Sequence, residues 1–152
     1  VSITKKQRAD GALLFFCYTI SMKIHEPFNV VKRAKSVTHA LRGIAVLFKT
    51  TPNIWVHVMV AVAAIFLGIF FSVSTTEWLF LVVSIGAVFV LEAVNSAIEI
   101  DIDLTSPNYH PFAKDTKDVA AGAVLLMGIT SWIIGIVIFA PKIYTFLTTL
   151  AL

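Results

Sequence analysis

Residues 78–100 read WLFLVVSIGAVFVLEAVNSAIEI, a run long enough to cross a bilayer, with acidic side chains only in its second half. A bilayer core of about 30 Å calls for roughly 20 mostly apolar residues per helix. Residues 54–71 and 119–140 meet the same requirement, and the latter stretch contains no charged residue. The hydrophobic content is 58%, whereas soluble domains have roughly 45–50%. We therefore predict an all-α integral membrane protein with three transmembrane helices.

A basic amphipathic segment precedes the first span. Between residues 29 and 50, apolar side chains recur at three- and four-residue steps, while Lys, Arg and His fill the opposite face. A helix of this kind lies in the headgroup plane of a membrane, so we predict an amphipathic surface helix over residues 29–50. The alternative is a soluble helix that packs on a partner protein.

Residues 1–28 form an N-terminal extension of uncertain status. Charged residues 5–8 and the apolar run 12–22 imitate a signal peptide, although no small-residue cleavage site follows. Translation that truly starts at Met22 and a short interfacial helix are the other two interpretations.

The distribution of positive charge predicts the orientation in the membrane. Nine of the twelve Lys and Arg residues precede Pro52, and the linker 72–77 has none. Because cytoplasmic loops are enriched in Lys and Arg, we expect a cytoplasmic N-terminus and an outside C-terminus, in the cytoplasmic membrane. The loop that carries Lys114 and Lys117 then lies in the cytoplasm. The basic residues are thereby explained without nucleic acid as a partner.

Threonine, proline and asparagine residues mark the predicted boundaries of the helices. Thr51 suits an N-cap and Pro52 suits the first helical position, so together they predict the start of the first span. Pro107, Asn108 and Pro111 predict an irregular cytoplasmic loop before the third span.

A polar stripe runs along the second span. Glu92, Asn95 and Glu99 sit at positions i, i+3 and i+7 and therefore share one helix face, which Asp103 continues if the helix persists. An ionised carboxylate at the bilayer centre costs at least about 2.5–3.5 kcal/mol on insertion scales. We therefore interpret the stripe as functional; snorkelling at a helix end is the alternative.

The following loop supplies complementary charges. It contains acidic and basic side chains close together: His110, Lys114, Asp115, Lys117 and Asp118. Carboxylates suit Mg²⁺ and lysines suit phosphate oxygens, yet no Walker A or kinase glycine-rich pattern is present. The alternative is a solvated loop with ordinary ion pairs.

These motifs closely resemble the prokaryotic diacylglycerol kinase family, which includes undecaprenol kinases. The resemblance rests on EAVNSAIEI at residues 92–100, Asp103, and HPFAKDTKDVAAGAVL at residues 110–125, and it extends from about residue 31 to 139. It implies a homotrimer of three-span chains with an amphipathic surface helix, and makes residues 51–152 a lipid kinase domain. The implied reaction transfers the γ-phosphoryl group of ATP to a lipid alcohol, with undecaprenol favoured over diacylglycerol.

The resemblance also implies roles for the motif residues. Glu92 is similar to the family's general base, Asn95 lies within the site, and Glu99 resembles a Mg²⁺ ligand. Lys117 and Asp118 resemble the residues that bind ATP, and Asp103 matches a further acidic position of the nucleotide site.

One position departs from the family pattern. Thr51 stands where a metal-binding glutamate is usual, and a hydroxyl is a poorer Mg²⁺ ligand than a carboxylate. We expect reduced metal affinity with activity retained. The rival interpretation is an inactive assembly or regulatory subunit, and an ion-conducting bundle ranks last because it leaves the Lys-Asp segment unexplained. His57 also fits the pattern, and we assign it no catalytic role.

Overall fold

The computed structural model describes residues 29–150, and every regular element in that range is an α-helix. The helices are α1 (Val30–Thr50), α2 (Asn53–Phe70), α3 (Thr75–Thr105) and α4 (Pro111–Leu150). The last three are long and apolar enough to cross a membrane. The predicted fold class, an all-α protein with three span-length helices, is confirmed. The interpretations of residues 1–28 lie outside the described residues.

The described chain divides into two units within α1, at residues 29–40 and 41–150. In the first unit, Asn29 caps the helix because its side-chain Oδ1 accepts hydrogen bonds from the backbone N–H groups of Val31 (2.9 Å) and Lys32 (3.3 Å). Every side chain of this unit is exposed. In the second unit, α3 packs extensively along α4 and over a shorter length against α2.

The turn between α2 and α3 closes one end of the second unit. Ser74 and Glu77 form a capping box at the start of α3, which satisfies two backbone donors that the helix leaves open. Glu77 also contacts Lys142 of α4 at 3.2 Å. Gly68 permits the close approach of the Trp78 ring here, because a Cβ at that position would lie 2.8 Å from Cη2 of Trp78.

The helix ends differ from the sequence-based expectation in two places. The segment with Lys114 and Asp118, predicted as the part of the cytoplasmic loop that leads into the third span, forms the first turns of α4, which begins at Pro111. Proline is favoured at the first helical position because it lacks only an unused donor. The prediction that Thr51 caps α2 is wrong, because Pro52 occupies the N-cap and no side chain caps the helix.

Candidate active site

The polar stripe predicted on the second span is continuous in the structure, because α3 persists to Thr105. Glu92 is 1% exposed and Asn95 is 6% exposed, while Glu99 is half-buried. The amide Nδ2 of Asn95 donates a 3.0 Å hydrogen bond to Oε1 of Glu99, which fixes that carboxylate on the helix face. The stripe therefore places two carboxylates about 10 Å apart along one helix, from seven residues at about 1.5 Å each.

Buried oxygens of the stripe are left without partners. Neither Oε1 of Glu92 nor Oδ1 of Asn95 has a hydrogen-bond partner among residues 29–150. Buried polar atoms are nearly always paired, since an unsatisfied one costs about 1–3 kcal/mol. Both atoms are therefore candidates for contact with a bound group.

The stripe lines a cleft of 580 Å³ between α2, α3 and α4. Helix α2 contributes Asn53 and His57, and α4 contributes an apolar wall. Nε2 of His57 lies 4.0 Å from Oε2 of Glu92. The cleft thus combines two carboxylates, an imidazole and two amides in otherwise apolar surroundings.

A second groove of 580 Å³, lined almost entirely by apolar side chains, adjoins this cleft. The two spaces share four lining residues, namely Val56, His57, Gly128 and Trp132. The walls of the groove are aliphatic and aromatic side chains such as Leu81, Phe89 and Ile136. The acidic cleft therefore opens onto a surface suited to a hydrocarbon chain.

Thr51, at the position where a family glutamate is expected, is buried and paired. Its Oγ1 lies 2.7 Å from Oγ of Ser96, and the two side chains are 9% and 6% exposed. Ser96 lies about one helical turn from Glu99 on α3, so Thr51 stands beside the acidic stripe. The sequence does not predict this pair of hydroxyls, which lie 45 residues apart, because neither segment contains a local pattern that indicates the contact.

The charged residues predicted for the nucleotide lie at the end of α3 and the start of α4. Lys117 Nζ donates a hydrogen bond to Oδ1 of Asp103, and Lys114 is paired with Asp118 at 2.9 Å on the exposed face of α4. None of these four residues lines the cleft with Glu92. The structure therefore brings Glu92, Asn95 and Glu99 together, and it leaves Lys117–Asp103 and Lys114–Asp118 as two ion pairs outside the cleft.

The donor set of the cleft fits a hydrated metal ion shared with phosphate. Among residues 29–150, no three acidic, histidine or cysteine side chains converge as a self-sufficient metal site. Mg²⁺ is commonly held by one or two carboxylates together with substrate phosphates and waters. The carboxylate of Glu99 meets that requirement, and the unpartnered Oδ1 of Asn95 offers a further oxygen.

Comparison with known proteins gives consistent results. The model of the family described as "Prokaryotic diacylglycerol kinase" matches residues 38–139. The chain is 42% identical over 109 residues to the "Undecaprenol kinase" of Bacillus subtilis (strain 168), covering 72% of this chain and 89% of that protein. It is 33% identical over 109 residues to the "Diacylglycerol kinase" of Synechocystis sp., covering 71% of this chain and 62% of that protein.

Proposed function

The chain belongs to the prokaryotic diacylglycerol kinase family and is a lipid kinase, and we propose that it transfers the γ-phosphoryl group of ATP to the hydroxyl of undecaprenol. The observation that carries this proposal is the buried carboxylate of Glu92, which has one unpartnered oxygen, lines the acidic cleft and lies 4.0 Å from His57, a residue that the cleft shares with the apolar groove. A lipid alcohol needs such a place, because its hydroxyl must meet polar groups while its chain stays in hydrocarbon.

Glu92 is the proposed general base. As the lipid oxygen attacks phosphorus, its proton passes to the Glu92 carboxylate, and ADP leaves from the opposite side. Proton transfer to a positioned base contributes about 10²–10⁴-fold to a rate. The remaining acceleration comes from positioning and from neutralisation of phosphate charge.

Glu99 is the proposed Mg²⁺ ligand. Nδ2 of Asn95 donates a hydrogen bond to the Glu99 carboxylate, and the buried Oδ1 of Asn95 has no hydrogen-bond partner among residues 29–150. When bound, the ion neutralises charge on the phosphates. The side chain of Thr51 offers only a hydroxyl, and that hydroxyl is already hydrogen-bonded to Ser96. We therefore propose that this chain binds Mg²⁺ more weakly than relatives with an acidic residue at that position.

Lys117, Asp118 and Asp103 form the proposed ATP-binding group. Lys117 offers a point charge to phosphate oxygens, and Asp103 accepts a hydrogen bond from its ammonium. Asp118 is adjacent in sequence and exposed. Because this group lies outside the cleft of its own chain, we propose that a homotrimer brings base and nucleotide together.

A homotrimer also suits the surface of α4. A Cβ added at Gly122, which lines neither the cleft nor the groove, would meet no heavy atom within 4 Å in the described part of the chain, so this position is open to a neighbouring helix. The excess of Lys and Arg before Pro52 supports a cytoplasmic N-terminus and active site in the cytoplasmic membrane, with the C-terminus outside.

Phosphoryl transfer from labelled ATP in mixed micelles tests the lipid assignment. Undecaprenol and diacylglycerol are offered separately at equal mole fraction, across a Mg²⁺ titration. We expect a higher kcat/KM with undecaprenol, because the similarity to the undecaprenol kinase of Bacillus subtilis covers 89% of that protein. A higher value with diacylglycerol overturns the lipid assignment, and no transfer to either lipid from a folded oligomer indicates the inactive assembly subunit.

A further inference from the structure

His57 is the ionisable side chain that faces Glu92 from the neighbouring helix α2. Its Nε2 lies 4.0 Å from Oε2 of Glu92, and its imidazole is 25% exposed whereas the carboxylate is 2% exposed. Helix α4 contributes no titratable side chain to the described lining of the cleft. The remaining titratable group there, Glu99, is engaged by Asn95.

The two oxygens of Glu92 have different surroundings. Oε2 faces the imidazole, whereas Oε1 has no partner among residues 29–150. A general base needs one oxygen directed at the incoming proton, and rotation of the carboxylate would exchange the two. A donor fixed on one oxygen removes that freedom. Hydrogen bonds in catalytic sites are often long before substrate binds and tighten in the complex.

We propose that His57 is a positioning residue for the base. With the lipid bound, its Nε2–H donates to Oε2 of Glu92, and Oε1 is thereby presented to the acceptor hydroxyl. This inference rests on the proposed function of Glu92 as base.

The reaction step leaves His57 unchanged. The hydroxyl proton passes to Oε1 of Glu92 while the hydroxyl oxygen forms the new bond to γ-phosphorus. The bond from γ-phosphorus to the bridging oxygen breaks, and its electron pair leaves with ADP. His57 neither gains nor loses a proton, so an amide donor of similar reach should substitute for it.

Two variants separate positioning from packing. In His57→Leu the donor is lost, and we expect kcat for lipid phosphorylation to fall between about ten- and a hundredfold, since a misplacement of about 1 Å costs on that order. In His57→Gln an N–H donor remains, and most of the loss should be recovered. KM for ATP should change less than twofold in both variants. His39→Leu, the same change at an exposed position of α1, serves as the control and should retain the wild-type kcat.

Full kcat in His57→Leu, or an equal loss in both variants, would overturn the proposal. A second measurement applies if His57→Leu does not fold. In protein labelled with ¹⁵N-histidine and saturated with undecaprenol, the His57 Nε2 signal, identified by its loss in His57→Gln, should move on Glu92→Gln substitution. An unmoved signal refutes the contact. An inactive wild-type protein would instead refute the proposed function, which keeps the two failures distinct.

Discussion

The hydroxyl pair of Thr51 and Ser96 gives the sharpest prediction for stability. The pair joins the segment before α2 to α3, and both side chains are at least nine-tenths buried. Thr51→Val preserves shape but leaves the Ser96 hydroxyl without its partner, and Ser96→Ala does the reverse. An unsatisfied buried hydroxyl costs about 1–3 kcal/mol, so each single variant should lose about that much free energy of unfolding.

The double variant should lose less than the sum of the two single losses, because it leaves no unpaired hydroxyl. Interhelical hydrogen bonds in a membrane protein have coupling energies of about 0.6 kcal/mol on average and about 1.7 kcal/mol at most. Since this pair is buried on both sides, we expect a value in the upper half of that range. Thr130→Val is the matched control, because Thr130 is exposed and bonds only to the backbone of its own helix, so its change should stay within about 0.5 kcal/mol.

Unfolding by sodium dodecyl sulfate in mixed micelles, followed by circular dichroism, measures all four proteins of the cycle. If the Thr51→Val and Ser96→Ala effects add to within about 0.3 kcal/mol, the two hydroxyls behave as independent sites, and the proposed coupling between them is refuted.

Substitutions at Lys117, Thr51 and Gly68 give three further predictions. Lys117→Ala should raise KM for ATP several-fold with little change in KM for the lipid, and unaltered ATP kinetics would remove it from the nucleotide site. Thr51→Glu should lower the Mg²⁺ concentration for half-maximal activity, since a carboxylate is the better ligand; an unchanged Mg²⁺ titration contradicts the role given to this position. Gly68→Ala should destabilise the protein by about 1–3 kcal/mol, because the added Cβ overlaps the Trp78 ring, and detergent unfolding at the wild-type midpoint would refute that packing.

The sequence predicts the helices well because length and periodicity are local properties. Apolar runs of span length mark α2, α3 and α4, and the spacing of Glu92, Asn95 and Glu99 places them on one face whatever surrounds the helix. The beginning of α4 at Pro111 was harder to predict, because proline and asparagine occur both in loops and at helix starts.

Contacts between helices could not be predicted in this way. Thr51 was expected to cap α2, yet its hydroxyl bonds to Ser96, because a tertiary partner took the place of the local one. His57 likewise faces Glu92, 35 positions further along the chain. Periodicity identifies which side chains share a face, but the residue opposite that face depends on how the helices pack.

The most direct test of the central claim compares the wild-type protein with Glu92→Gln. The substitution keeps the size of the side chain and removes its ability to accept a proton. Lipid phosphate formation is measured at saturating ATP, Mg²⁺ and undecaprenol, with the oligomeric state of both proteins checked by size-exclusion chromatography. We predict a fall in kcat of about 10²–10⁴-fold in a variant that assembles normally. Wild-type turnover by an intact Glu92→Gln protein would contradict the assignment of this buried carboxylate as the base.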